Sequence, residues 1–321
     1  MASLMKFDEH SLTSLAAVTK LPKVRATVVA LLALGILPRL NRWFSRRKVN
    51  NYVTDTTWNW TKEVVVITGG SSGIGECMVE KLAQKQTKVI ILDVNEPKRN
   101  LKSNIVFYKV DITDSSAIAS VAEAIRTEHG DPTVLINNAG IGNAATILDV
   151  TEDKLRKLFD VNLVAPFLLV QEFLPSMVRN NHGHIVNIAS MASFATQAFN
   201  VDYACSKSAV LSFHEGLTQE LRHIYKSSKV RTSVVHPTWV RTPMITRLIE
   251  QRTFNDPTVS ADDVATRVVN ALYSGYGSQM CVPESLSWTS LIRGMPGWLQ
   301  EGLRDKVSTV LVTALENSKS G

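Results

Sequence analysis

Tyr203 and Lys207 stand four residues apart in the stretch Asp202-Tyr203-Ala204-Cys205-Ser206-Lys207. On a helix that spacing brings a phenol and an ammonium to one face. A phenol with its ordinary pKa near ~10 exchanges protons poorly at neutral pH, and a neighbouring cation favours the phenolate. Taken alone, the same spacing also describes many exposed helix faces. A second chemistry-bearing stretch is Thr68-Gly69-Gly70-Ser71-Ser72-Gly73-Ile74-Gly75, directly after an apolar β-branched run. Glycines there permit a tight turn and let backbone N–H groups approach a pyrophosphate at the start of the next helix. Asp93 follows 18 residues after Gly75, at the end of the next apolar run. A carboxylate in that place accepts hydrogen bonds from adenosine ribose hydroxyls and repels a 2′-phosphate. These residues favour NAD(H), and the neighbouring Lys98 and Arg99 leave NADP(H) admissible.

Such residues meet only if the fold gathers them at one end of a sheet. Short apolar runs predict strands at Glu63–Thr68, Lys88–Asp93, Ile105–Val110, Thr133–Asn137, His184–Ala189, Val230–His236 and Gln279–Val282. Helical spacing fills the intervals at Gly73–Lys85, Asp114–His129, Thr151–Asn180, Val201–Lys226 and Ser260–Tyr273. Near-continuous apolar strands alternating with helices predict an α/β fold, a doubly wound parallel sheet of seven strands covered on both faces. We expect one catalytic domain over residues 55–285, with a tail at 1–54 and a C-terminal amphipathic segment at 286–321.

The chain has 321 residues, of which 45% are hydrophobic and 20% charged, enough apolar surface to exclude a disordered chain. Its formal net charge is +6, yet residues 1–50 alone hold nine basic and two acidic residues. The folded body is therefore nearly neutral, which argues against a nucleic-acid partner, and the basic tail suggests an anionic membrane surface. Within it, Ala26–Leu37 is an uncharged run of twelve residues. As a helix it would reach about 18 Å against a hydrocarbon core of ~30 Å, so it predicts a monotopic membrane anchor rather than a comfortable span. Trp43, Phe44, Trp58 and Trp60 would supply interfacial aromatics; a helix packed on the body is the alternative. Cys77, Cys205 and Cys281 are scattered without a CxxC pair, consistent with reduced thiols facing the cytosol. No metal site is expected, because the histidines form no ligand-like cluster, and His182 and His184 suit a turn.

The spacing TGxxxGxG, rather than GxGxxG, resembles the short-chain dehydrogenase/reductase family, and the resemblance runs over roughly residues 62–285. Further matches follow in order: Asp111-Ile112, Asn137-Asn138-Ala139-Gly140, Asn162, Ser190, and Tyr203 with Lys207. The resemblance implies a Rossmann-type domain and an NAD(P)-dependent oxidoreductase acting on CH–OH groups. It assigns Asn162, Ser190, Tyr203 and Lys207 to catalysis. It implies cofactor contacts at Gly69, Ser71, Ser72, Gly73, Ile74, Gly75, Asp93, Asp111, Ile112, Asn138, Ala139, Gly140, Tyr203, Lys207, Val240 and Thr242. In His236-Pro237-Thr238-Trp239-Val240-Arg241-Thr242 the family's usual glycine is Thr238, which puts the local backbone in question.

With its apolar, basic-flanked tail, the chain is similar to the membrane- or lipid-droplet-associated retinol dehydrogenases and 17β-hydroxysteroid-dehydrogenase-like enzymes. That branch implies a lipophilic alcohol or carbonyl substrate, with Phe194, Phe199, Met244, Ile245, Leu248 and Phe254 as candidate pocket residues. It also implies attachment to the endoplasmic reticulum membrane or lipid droplets with the catalytic domain in the cytosol, and a homodimer. Two other readings are a soluble biosynthetic ketoreductase and a non-catalytic cofactor-binding scaffold at a lipid surface.

Overall fold

β1 (Val64–Thr68) reads VVVIT and is buried along its whole length, as a strand covered on both faces must be. The computed structural model describes residues 36–37, 39–250, 254 and 256–316. β1 is followed by α1 (Gly73–Gln84), β2 (Lys88–Asp93), β3 (Ile105–Lys109), α2 (Ser115–His129) and β4 (Val134–Asn137). Then come α3 (Glu152–Phe159), a π turn (Asp160–Val164), α4 (Ala165–Asn180), β5 (Gly183–Ile188), α5 (Val201–His223) and β6 (Val230–Pro237). The chain continues through β7 (Trp239–Arg241), α6 (Thr246–Ile249), β8 (Thr258–Ser260), α7 (Ala261–Tyr273) and β9 (Gln279–Val282). A 3-10 stretch (Glu284–Gly294) and α8 (Gly297–Glu316) end the described chain.

Seven strands form one sheet in the order β3-β2-β1-β4-β5-β6-β9, all pairs parallel. This is the Rossmann-like doubly wound sheet expected, and its strand order reverses between β1 and β4. Alternation along the strands builds two cores. Val64, Val66, Ile90 and Leu92 pack with α2, α4 and α5, while Val65, Ile67, Val89 and Ile91 pack with α1 and α7. Helix starts follow capping chemistry. Asp114 Oδ1 accepts from the backbone N–H of Ser116 at 2.8 Å, and Ser260 forms a capping box with Asp263 at the start of α7.

Several features depart from expectation. The predicted helix Thr151–Asn180 is interrupted by the π turn. Pro166 has no N–H for the Asn162 carbonyl, and the Ala165 N–H bonds instead to Asp160 O, five residues back. β7 and β8 form a separate two-stranded sheet. Trp58 and Trp60 are not interfacial anchors of the tail: they stack at 5.0 Å, with Trp58 against His182 at 4.2 Å and Trp60 against Tyr273 at 4.5 Å. His184 lies inside β5, not in a turn, fully buried and bonded to Ser233 Oγ at 2.8 Å.

The chain divides into two units, one ending at Val49 and the other beginning at Asn50. In the first, residues 36–37 and 39–49 are helical, with Leu40, Trp43 and Phe44 exposed. Most of the predicted apolar anchor, 26–35, lies outside the described residues. Among the described residues, the stretch long and apolar enough to cross a membrane is mid-chain, Glu152–Asn180, and more than half of its most apolar window is buried as a core helix would be.

In the second unit the start of the domain is held by Arg231, buried on β6. Its guanidinium donates to the carbonyls of Asn50 (3.1 Å), Ser228 (3.0 Å) and Val53 (2.8 Å). Replacing it leaves those carbonyls without their donor, at about 1–3 kcal/mol for each that stays buried. Arg231→Met is expected to lower unfolding stability by about 2–4 kcal/mol in a denaturant titration; an unchanged midpoint would refute the clamp.

Candidate active site

The carboxyl ends of β1 and β4 lie side by side where the strand order reverses, and the residues singled out by sequence converge there. Gly69 and Gly73 have φ of +65° and +58°, left-handed values that favour glycine. A Cβ on Gly75 would lie 2.0 Å from the Gly69 carbonyl oxygen, so the turn closes only without a side chain. This bare backbone at the start of α1 fits a pyrophosphate cradle. Asp93 closes the rim: Oδ2 accepts from Ser71 N–H and Oδ1 from Asn95 N–H, both at 3.0 Å. Ser72 is the residue at the N-cap of α1, and Ile74 lies in its first turn. Arg99 pairs back onto Glu76 and Glu80 of α1.

Asn138 ties the two turns together. Its Nδ2 donates to the carbonyls of Thr68 (2.9 Å) and Gly69 (3.0 Å), while the N–H groups of Asn138 and Ala139 both donate to Thr68 Oγ1 at 3.0 Å. Gly140 leaves room for two side chains: a Cβ there would sit 3.3 Å from both Asn162 Oδ1 and Lys207 Nζ. Asp111, after β3, folds onto Thr113, whose N–H and hydroxyl hold its carboxyl below the usual range. Ile112 beside it is buried. Across the site, Thr242 stands over the glycine turn. Its methyl would be 3.1 Å from a Cβ on Gly73, and its hydroxyl donates to Val240 O at 3.3 Å.

Tyr203 and Lys207 share one face of α5, with Lys207 Nζ 5.6 Å from the Tyr203 ring centroid. Lys207 is buried and donates to the Ile188 carbonyl at 2.9 Å, at the end of β5. Burial pulls its pKa down to about 8. Burial pushes the Tyr203 phenol up, and the neighbouring Ser190 hydroxyl opposes that rise. The expected depression of the phenol by Lys207 is thus not the dominant effect in the protein alone, where desolvation disfavours both charged forms. Ser190 caps the 3-10 turn Met191–Ser193, its Oγ accepting from the Ala192 N–H at 3.1 Å.

Asn162, in the π turn, accepts from the Ile141 N–H (2.8 Å) and donates to Ile141 O and Ser206 Oγ (both 3.0 Å). Ser206 and Thr68, which hold these groups, stand inside the stretches singled out by sequence but were assigned no role of their own there. Ser206 stands three residues after Tyr203, where the helical period places it beside the same face. The substitution of Thr238 is accommodated. The residue is not among those with positive φ, and its N–H bonds Val282 O at 2.9 Å.

The candidate pocket residues divide. Phe194 is buried against His236, with ring centroids 4.5 Å apart, whereas Met244 is exposed and Phe254 packs edge-on to Trp239. Two non-glycine residues flanking the site, Ala144 (φ +50°) and Phe199 (φ +60°), hold left-handed backbone, a strain typical of binding loops. α8 lies against the second of these loops, where Ser308 Oγ accepts from the Ala198 N–H at 3.1 Å.

A short chain dehydrogenase family model matches residues 63–253. The chain is 44% identical over 209 residues to Dehydrogenase RED2 of Cochliobolus heterostrophus, spanning 64% of this chain and 78% of that one. It is 30% identical over 257 residues to human Estradiol 17-beta-dehydrogenase 11, spanning 77% and 84%. Among solved structures, 4-hydroxyisoleucine dehydrogenase complexed with NADH and succinate aligns at TM-score 0.58 and 26% identity, over 68% of this chain and 96% of that one.

The lowered pKa of Lys207 has a measurable consequence. From about 8 up to the ordinary 10.5, the unfolded chain keeps a proton that the folded chain has released, so stability rises with pH across that window. The full effect is on the order of 3 kcal/mol. Denaturant midpoints from pH 8 to 10.5 are expected to rise in the wild type relative to Lys207→Met; parallel profiles would refute the buried-amine assignment.

Proposed function

This chain belongs to the short-chain dehydrogenase/reductase family and is an NAD(P)-dependent oxidoreductase; on that premise we propose that it interconverts a lipophilic alcohol and its ketone or aldehyde, with Tyr203 exchanging the proton. The observation that carries this is the gathering of Ser190, Tyr203, Lys207 and Asn162 around α5 and the strand ends, beside a glycine turn that admits no side chain at Gly75. Lys207 Nζ lies 5.6 Å from the Tyr203 ring centroid, the Ser190 hydroxyl opposes the rise of that phenol, and Asn162 is bonded to Ser206 of the same helix. A non-catalytic scaffold has no chemical need for that assembly.

The nicotinamide cofactor, when bound, accepts or supplies the hydride. The chain's own residues do the rest. Backbone N–H groups of Ser72 to Gly75 cradle the pyrophosphate, Asp93, held by the Ser71 N–H, takes the adenosine ribose hydroxyls, and Asp111 with Ile112 flanks the adenine. Ala139 and Gly140 line the floor, while Val240 and Thr242 orient the carboxamide. Tyr203 takes the alcohol proton in oxidation and returns it in reduction. Ser190 hydrogen-bonds the reacting oxygen and steadies developing charge. Lys207 holds the nicotinamide ribose and, when protonated, favours the phenolate. Asn162 fixes the Ile141 and Ser206 segments around these groups and supports a water relay.

NAD(H) is the favoured cofactor and NADP(H) is admitted. Support comes from the Asp93 carboxylate at the rim, from Arg99 being paired with Glu76 and Glu80, and from the NADH complex of the related 4-hydroxyisoleucine dehydrogenase. For the substrate class, support comes from the likeness to an estradiol dehydrogenase and from the apolar tail; within the lipophilic class we include steroids, retinoids and long-chain alcohols. The same tail underlies the proposal that residues 1–54 anchor the enzyme to the endoplasmic reticulum or a lipid droplet with the catalytic domain in the cytosol. Exposed Leu40, Trp43 and Phe44 among basic residues suit an interface there.

Two variants test this assignment on detergent-solubilised full chain. Tyr203→Phe is expected to cut turnover of a steroid, retinoid and long-chain alcohol panel by about 10²–10⁴-fold while NADH binding persists; retained turnover would refute the proton role. Asp93→Asn keeps an acceptor but removes the charge, and is expected to lower the NAD-to-NADP ratio of kcat/KM by about tenfold. An unchanged ratio would refute the ribose assignment.

A further inference from the structure

At the end of β6, His236 is fully buried, and its Nδ1 lies 3.1 Å from the backbone carbonyl oxygen of Ser190. A carbonyl only accepts, so Nδ1 carries the proton and Nε2 presents a bare lone pair. Among the described residues, Nε2 has no hydrogen-bond partner. Burial, opposed by the Ser190 contact, holds the imidazole pKa down at about 4, so the ring is neutral at working pH. An unpartnered buried nitrogen is unfavourable. An apolar side chain of similar size would fill the space against Phe194 without it. What the imidazole adds is a single donor, aimed at one carbonyl.

That carbonyl belongs to Ser190, whose backbone is otherwise held from both sides. The preceding Ala189 N–H bonds Val235 O at 2.8 Å, and the Ser193 N–H bonds Ser190 O at 3.0 Å. With His236 the Ser190 oxygen has two donors, one for each lone pair, and the peptide plane is set. The hydroxyl of the same residue opposes the rise that burial imposes on the Tyr203 phenol. We propose that His236 is a positioning residue: its Nδ1–H, bound to the Ser190 carbonyl, orients the peptide from which the Ser190 hydroxyl reaches Tyr203 and the reacting oxygen. This rests on the roles given to Ser190 and Tyr203 above.

Asparagine and glutamine separate this role from mere filling of space. The amide nitrogen of asparagine falls where Nδ1 stands, and that of glutamine falls near Nε2. Full-chain His236→Asn, His236→Gln and His236→Leu are compared by the Ser190 carbonyl carbon NMR shift, by NADH binding, and by kcat and KM for estradiol and decanol with NAD. The Ser190 shift is expected to stay in the asparagine variant and to move in the other two. Asparagine is expected to keep kcat within about threefold of wild type. Glutamine and leucine are expected to lose about 10–100-fold in kcat with NADH binding retained and KM little changed. Equal kcat in the asparagine and glutamine variants, or an unmoved Ser190 shift in the glutamine variant, overturns the inference. Should the leucine variant fail to fold, the asparagine–glutamine pair decides alone. A wild type that binds no NADH and oxidises neither alcohol refutes the functional reading instead, and the Ser190 shift then still tells whether His236 sets that peptide.

Discussion

The amide of Asn162 is the joint on which the site depends. It is almost wholly inaccessible to solvent, and a buried amide is tolerable only when its donors and acceptor are met. It meets them by bonding both backbone groups of Ile141, in the loop after β4, and the hydroxyl of Ser206 on α5. One side chain therefore fixes the loop leaving the fourth strand against the helix that carries Tyr203 and Lys207. Asn162 sits in a widened turn. Pro166 creates it by withholding the N–H that the Asn162 carbonyl would otherwise accept. A π turn at this point is thus part of the site's construction.

Around that joint, the sheet supplies direction. Parallel strands deliver their following loops to one edge, and the reversal between β1 and β4 opens a crevice there. Thr68 and Asn138 lock the two lips of the crevice together, and the glycine turn keeps one lip free of side chains. Burial then acts on the two titratable groups in opposite senses, raising the phenol of Tyr203 and lowering the amine of Lys207. Both neutral forms are favoured in the protein alone, and a charge entering the crevice shifts that balance. Ser190, capping a short turn and held through its carbonyl by His236, opposes the rise of the phenol.

Much of this was legible in the chain itself. Each of the seven sheet strands begins and ends within one residue of its apolar run, and for the five inner strands the reason is burial on both faces, which demands apolar side chains along most of the strand. The glycine turn was legible because only glycine tolerates the backbone of Gly69 and Gly73 and the contact at Gly75. Other features were hidden in weak local signals. The Pro166 break lies inside a strongly apolar helical period, which masks it. β7 and β8 are three residues each, too short for a period to emerge. Trp58 and Trp60 read as interfacial anchors because they follow a basic, apolar tail, whereas His182 and Tyr273, distant in sequence, draw them onto the domain.

Sequence alone determined which residues carry chemistry and the order in which strands and helices present them. Residue type, glycine geometry and apolar period are properties of neighbours along the chain, and they survive without knowledge of the fold. Only the tertiary structure decided what surrounds each group. That Lys207 donates to Ile188, that Asn162 spans Ile141 and Ser206, and that His236 holds Ser190 are contacts between residues 19 to 46 positions apart. Desolvation and hydrogen bonding across such separations set protonation and orientation, and these depend on how the layers pack rather than on any local pattern of residues.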